Sequence, residues 1–327
     1  MTTSQAVLEQ LMVAPLSGQV LADQLNLSRN AVWKAVENLR KEGFVIESGK
    51  QGYQIQALPQ RLNQSLLTYY LDQGEAKWKL ILLDEVGSTN EYIKAYKSQH
   101  QDDLVICASQ KQTAGKGRLG KSFYSSLEDG LYVSLALKPN CSSPAEVPLY
   151  TLLAASAVID TLGSYLAEPI QVKWVNDLFY QGHKAAGILC EMVSDLEIPS
   201  VSYIVIGLGL NLAGDLSKVA DIREIAGTFF GKDLPKDFNI NQFLADLIQC
   251  FMAYHHHFAQ GEFLDTYKKH LLGLGKEVSY QENQVNKTGK IKGINEQGQL
   301  LVEDSAGNIH ALVSPNIHFG SQQFVSD

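Results

Sequence analysis

Apolar residues recur at helical spacing from Ser4 to Met12, from Ser17 to Leu25 and from Ser28 to about Glu42. The third stretch is the clearest. Val32, Ala35, Val36 and Leu39 form one stripe at i, i+3, i+4, i+7, which leaves Arg29, Asn30, Trp33 and Lys34 on other faces. Ser28 is the expected N-cap. After Gly43 the period shortens to two, with Phe44–Glu47 and Tyr53–Gln56 alternating around Gly49-Lys50-Gln51-Gly52. Three helices followed by a hairpin predict a winged helix-turn-helix over residues 1–60, ending in the extended Ala57-Leu58-Pro59-Gln60.

Residues 65–272 mix the two periods. Strands are expected at Trp78–Glu85, Leu104–Ala108, Leu131–Leu137, Ile170–Leu178, Ala185–Met192 and Ser202–Asn211. Helices are expected at Glu91–Ser98, Leu149–Tyr165 and Gln242–Phe258. Short strands with helices grouped between them predict an α+β domain with a mainly antiparallel sheet. From residue 273 to 327 the short strands Glu277–Tyr280, Thr288–Ile294 and Gln299–Val302 are separated by turn residues, which predicts a small β-barrel.

Composition narrows the function classes. A chain of 327 residues suits two or three domains. The net charge of −8 gives no global attraction to nucleic acid, so any DNA contact must be local. Residues 1–56 carry five basic and five acidic side chains, and charge alone leaves open whether the winged segment reads DNA or serves as a scaffold. The cations beside Trp33 and the polar wing tip at Lys50 and Gln51 suit phosphate contacts. Cys107, Cys141, Cys190 and Cys250 form neither a C-x-x-C pair nor a disulfide framework, which fits a reducing cytoplasm. We expect no signal peptide and no segment of membrane-spanning length.

The candidate chemistry centres on Gln112-Thr113-Ala114-Gly115-Lys116-Gly117-Arg118-Leu119-Gly120-Lys121-Ser122-Phe123. Its glycines bring backbone N–H groups near a ligand, and Lys116, Arg118 and Lys121 suit an anion. The spacing matches G-x-G-x-x-G, but a second strand follows instead of a helix, so the dinucleotide-binding reading is set aside for a basic lid. Gly87-Ser88-Thr89-Asn90 puts hydroxyls and an amide at a strand-to-helix junction, where they either cap the helix or bind a polar head. Lys173-Trp174-Val175-Asn176-Asp177-Leu178 is either an exposed turn or, together with Lys184, a focus of positive charge for a phosphate or carboxylate. The glycines of Ile206-Gly207-Leu208-Gly209-Leu210-Asn211 mark a bulge or close approach to a ligand. His255-His256-His257 reads as solvated helix surface and the acid-rich 215–224 as a polar surface segment.

Taken together and in order, these motifs resemble those of the biotin protein ligases, and the winged segment resembles that of the members that also repress a biotin operon. The resemblance spans nearly the whole chain. This sequence departs from the family pattern at Lys116, where arginine is usual, at Phe123, where tryptophan is usual, and at Val175, where proline is usual. The resemblance implies a central ligase domain and an SH3-like C-terminal barrel. It also implies activation of biotin by ATP to biotinyl-5′-AMP, then transfer to a lysine of a carboxylase's biotin carrier domain. Ser88, Thr89, Asn90, Gln112, Lys116, Gly117, Arg118 and Lys184 would line the biotin site. Gly115, Lys121, Phe123, Asn176 and Asn211 would face ATP, and Arg118, Lys184, Lys173 and Asp177 would serve catalysis, with Asp177 toward Mg²⁺. Arg29, Asn30, Trp33 and Lys34 would contact operator DNA as a homodimer. The alternatives are a ligase whose winged domain does not bind DNA, a lipoate-type ligase, and a transcription factor that only senses a small acid.

Overall fold

The computed structural model describes residues 2–72, 78–125, 127, 129–194, 201–216, 226–282, 285–313 and 317–319. The chain begins with α1 (Thr3–Val13), α2 (Gly18–Leu25), α3 (Arg29–Lys41), β1 (Val45–Gly49), β2 (Gly52–Ala57) and α4 (Gln64–Leu71). It continues with β3 (Lys79–Leu83), α5 (Thr89–Lys97), β4 (Leu104–Ser109), β5 (Asp129–Leu137), α6 (Leu149–Leu162), β6 (Gln171–Lys173), β7 (Asp177–Tyr180), β8 (His183–Ser194) and β9 (Val201–Ala213). It ends with α7 (Ile240–His256), α8 (Phe263–Lys269), β10 (Glu277–Glu282), β11 (Val285–Ile294), β12 (Leu300–Glu303), β13 (Ile309–Leu312) and β14 (Ile317–Phe319).

Contacts gather these elements into two compact units, Met1–Glu75 with Asp237–Gln249, and Ala76–Lys236 with Cys250–Asp327. The three sequence segments divide the chain by pattern, whereas contacts put α4 and the first turns of α7 with the winged helix. In this first unit Val7, Leu8, Leu21, Val32, Val36, Leu39 and Leu66 form one core. Ser17 and Ser28 cap their helices, accepting from Val20 N at 3.2 Å and Ala31 N at 3.1 Å. A single β-bridge ties the wing to Leu16, whose N–H donates to Tyr53 O at 3.1 Å and whose O accepts from Tyr53 N–H at 2.8 Å. Arg40 ties α3 to the wing through Ile46 O, at 2.9 Å from Nε. Asn241, fully buried, accepts from Asn63 N–H at 2.7 Å and donates to Arg61 O at 3.0 Å, so it orders the stretch after the wing.

The second unit is built on a seven-stranded sheet of order β3-β4-β5-β9-β8-β7-β6. The β3–β4 pair is parallel and every other pair antiparallel. Ile170–Leu178, expected as one strand, is instead a hairpin in which Lys173 faces Asp177 across β6 and β7. Three non-local hydrogen bonds hold its turn. Trp174 Nε1 donates to Gly298 O at 2.9 Å, Tyr267 OH to Val175 O at 3.1 Å, and Ile188 N–H to Asn176 O at 2.9 Å.

The segment Pro144–Tyr165 is, by length and composition, long and apolar enough to cross a bilayer, contrary to the expectation above. It is a core helix here, 72% buried, because Ala154, Ala155, Ser156 and Ala157 let it lie close against its neighbours. The C-terminal strands form a five-stranded antiparallel sheet of order β13-β12-β11-β10-β14. Most of the acid-rich 215–224 lies outside the described residues.

Candidate active site

Strand pairing aligns the chemistry on one face of the large sheet. One register row reads Ser109, Tyr132, Gly209, Gly187, Asp177, Lys173, drawn from β4, β5, β9, β8, β7 and β6 in turn. Two residues along each strand, a second row reads Cys107, Ser134, Gly207, Leu189, and a third reads Val105, Ala136, Val205, Glu191. Side chains alternate across a strand, so these rows share a face. The α5 helix covers the third row and part of the second, with Ile93 packed on Val105, Cys107, Ala136 and Val205.

At the first row three cations surround one carboxylate. Lys184 Nζ lies 2.6 Å from Asp177 Oδ1. Asn176 Nδ2 donates to the same oxygen at 3.1 Å, and Arg118 Nη1 donates to Asn176 Oδ1 at 3.3 Å. Lys173 is buried, with 7% of its surface exposed. Burial pushes its ammonium down to about 8, Asp177 opposes this, and the charges of Lys184 and Lys121 add to it. Burial also lowers Arg118, against the pull of Asp177. Three cations around one carboxylate leave an excess of positive charge, which suits a phosphate or carboxylate.

The start of α5 supplies a polar wall. Ser88 is the N-cap residue, yet its buried side chain makes no capping hydrogen bond. Thr89 N–H donates to Gln112 Oε1 at 2.7 Å, and Thr89 Oγ1 lies 3.0 Å from the same oxygen. Ser134 Oγ lies 2.8 Å from Thr89 Oγ1 and 2.6 Å from Asn90 Oδ1. Asn90 Nδ2 donates to Glu191 Oε2 at 2.7 Å, and Lys94 Nζ lies 2.7 Å from Glu191 Oε1. A Cβ at Gly207 would sit 2.2 Å from Asn90 Oδ1, so this row admits only glycine beneath the amide.

The basic loop is a hydrogen-bonded hairpin laid against that wall. Gln112 N–H donates to Ser125 O and Phe123 N–H to Gly115 O, both at 2.9 Å, and Gly117 N–H to Lys121 O at 2.7 Å. Ala114 N–H donates to Gly87 O at 2.8 Å, which docks the loop on the Gly87–Asn90 stretch. The ring of Phe123 rests on two glycines of the first row: an added Cβ would lie 2.6 Å from it at Gly209 and 3.0 Å at Gly187. Lys184 Nζ stands 5.8 Å from the ring centroid.

The fold thus gathers Ser88, Thr89, Asn90, Gln112, Gly115, Gly117, Arg118, Phe123, Lys173, Asn176, Asp177 and Lys184 along one face. Lys116 is half-exposed and pairs with Glu91 of α5 at 3.0 Å, and Lys121 is exposed. Asn211, on β9, donates from Nδ2 to Gly227 O at 3.2 Å, while its buried Oδ1 has no hydrogen-bond partner among the described residues. Sequence reading missed Ser134 and left Glu191 without a role. A lone serine in the apolar run Val133-Ser134-Leu135 and a carboxylate within a strand were the available signals. His255 corrects the solvated reading of the histidine run: its Nδ1 lies 2.8 Å from Tyr150 OH, and burial pushes it down to about 4. His256 and His257 are exposed, as expected. In the other unit, Arg29, Asn30, Trp33 and Lys34 are all exposed on α3, Trp33 with 51% of its surface.

The chain is similar to known proteins in sequence and in fold. The Biotin/lipoate A/B protein ligase family model matches residues 83–211, which hold the wall, the lid and all three rows, and a helix-turn-helix domain model matches residues 3–54. The Bifunctional ligase/repressor BirA of Bacillus subtilis is 28% identical over 309 residues, 93% of this chain and 94% of that protein. Its Escherichia coli counterpart is 28% identical over 291 residues, 88% of each. The biotin protein ligase of Aquifex aeolicus, solved with biotin and ATP, superposes with a TM-score of 0.60 at 27% identity, over 74% of this chain and 99% of that one. Both models fall on the residues that carry the site and the exposed third helix, so residues 83–211 match a biotin/lipoate A/B protein ligase domain and residues 3–54 a helix-turn-helix domain.

Proposed function

We propose that this protein activates biotin with ATP and transfers it to one lysine of a carboxylase's biotin carrier domain. A carboxylate oxygen of biotin attacks the α-phosphorus, pyrophosphate leaves, and the amine of the carrier lysine then displaces AMP from the acyl carbon. The observation that carries this reading is the set of three cations, Lys173, Lys184 and Arg118, around Asp177, beside the Thr89–Gln112 wall. Neither step needs an enzyme nucleophile, so orientation and charge neutralisation suffice. In this reading Lys184 and Arg118 hold the reacting carboxylate and phosphate, and Lys173 faces the nucleotide. The buried orphan Asn211 Oδ1 suits the exocyclic amine of adenine. Phe123 lends an aromatic face to the base.

Magnesium fits here as an ion carried on the ATP phosphates. Asp177 is a suitable carboxylate, although Lys184 already holds it, and among the described residues no three His, Cys, Asp or Glu side chains gather into a cage. Incubation with biotin, Mg-ATP and a carrier domain should add one biotin, seen by mass spectrometry. Titration against lipoate and octanoate separates the biotin reading from the lipoate one.

The exposed α3 surface supports a second role, biotin-responsive repression by a cytoplasmic homodimer on operator DNA. Gel shifts on promoters of biotin synthesis or uptake genes, with and without biotin plus ATP, test it. An unshifted DNA with active enzyme would leave a ligase whose winged domain does not read DNA.

A further inference from the structure

Three oxygen contacts in the buried wall share two hydroxyl protons: Thr89 to Gln112 at 3.0 Å, Ser134 to Thr89 at 2.8 Å and Ser134 to Asn90 at 2.6 Å. The amide oxygens of Gln112 and Asn90 only accept. Gln112 Oε1 is already served by Thr89 N–H at 2.7 Å. The Asn90 amide cannot be turned round, because its Nδ2 donates to Glu191 Oε2 and an amide oxygen in that place would face a carboxylate oxygen of the Glu191–Lys94 pair. Asn90 Oδ1 therefore takes the Ser134 proton at the shortest of the three contacts. The Thr89 proton goes to Ser134 or to Gln112. In either arrangement it is spent inside the protein, and Thr89 Oγ1 has only lone pairs to offer a ligand.

We infer that Ser134 and Glu191 are positioning residues that make Thr89 a hydrogen-bond acceptor for a ring N–H of the bound acid, selecting a cyclic urea over a sulfur ring without N–H. The inference rests on the ligase reading, in which Thr89 faces the ring of biotin. Glu191 acts through Asn90, and Ser134 acts on Thr89 directly. The close seat of Asn90 on Gly207 keeps the amide from swinging away.

The test titrates wild type, Ser134→Ala, Glu191→Ala and Glu191→Gln with biotin and with the two cyclic carbamate analogues in which one ring N–H is replaced by oxygen. An unreactive ATP analogue is titrated separately. Wild type should bind one carbamate about tenfold more weakly than biotin. Ser134→Ala and Glu191→Ala should bind biotin about tenfold more weakly and distinguish the pair by less than about threefold, with nucleotide binding unchanged. Glu191→Gln keeps an acceptor for Asn90 and should lose less than Glu191→Ala. A merely structural role would weaken every ligand alike and preserve the biotin-to-carbamate ratio; that result, or wild-type biotin affinity in folded Ser134→Ala, overturns the inference. Should Ser134→Ala not fold, the ratios of the two Glu191 variants decide. Wild-type protein that binds no biotin would overturn the ligase reading itself, and this inference with it.

Discussion

Replacing Lys173 with methionine should make the folded protein more stable at neutral pH and a poorer enzyme. Burial holds the ammonium at about 8, against an ordinary value of 10.5. That interval corresponds to about 3 kcal/mol of folding free energy. Between those two values the unfolded chain holds the proton more tightly than the folded one, so stability rises with pH. Below the folded value the full cost is present, and above the unfolded value it is gone. Methionine removes the cost but also the polar contacts of the ammonium, which are worth about 1 kcal/mol. The net gain at about pH 7 is then about 2 kcal/mol, and it should shrink by a similar amount by about pH 9.5. Urea unfolding of both variants at the two pH values measures it, and titration of every group not coupled to Lys173 cancels in the comparison. Biotin-dependent pyrophosphate exchange should fall by about 10²-fold or more, because a preorganised cation is lost from the phosphate site. A variant that is less stable at neutral pH, or a difference that does not change with pH, would refute the reasoning.

Arg118→Gly removes the 3.3 Å bond to Asn176 and one of the three cations, so biotinyl-AMP should escape and label lysines of a bystander protein, as mass spectrometry would register; adenylate retention equal to wild type would count against it. Trp174→Phe leaves the buried Gly298 carbonyl without its donor, which should cost about 1–2 kcal/mol in stability and raise KM for ATP more than for biotin. Arg29→Ala combined with Lys34→Ala should weaken operator binding and flatten the slope of log K against log salt by about 2, while carrier biotinylation continues at the wild-type rate.

The local structure of this chain is legible where a pattern repeats within a few residues. The α3 stripe, its Ser28 cap and the alternating wing strands appear where periodicity and capping put them. Misreadings occur where a distant partner decides. Ile170–Leu178 alternates apolar and polar residues over its first half like a single strand, and Gly298, Tyr267 and Ile188 hold the turn at Trp174–Asn176 that makes it a hairpin. The α4 helix is short, and it is held by burying Leu66, Leu67 and Leu71 rather than by its own propensity. His255 is drawn from solvent by Tyr150, a residue 105 positions away.

The sequence by itself determined which residue types stand at each strand end and helix start, because local periods, caps and turn residues are short-range. It also determined the cations and glycines of the lid. The tertiary structure alone decided that Lys173, Asp177, Gly187 and Gly209 share one row, and that Asn90 meets Glu191 across 101 residues of chain. Strand register is set by burial on both faces of a sheet assembled from distant segments. No property of residues 88–90 alone could therefore show that Ser134 and Glu191 control their hydrogen bonds.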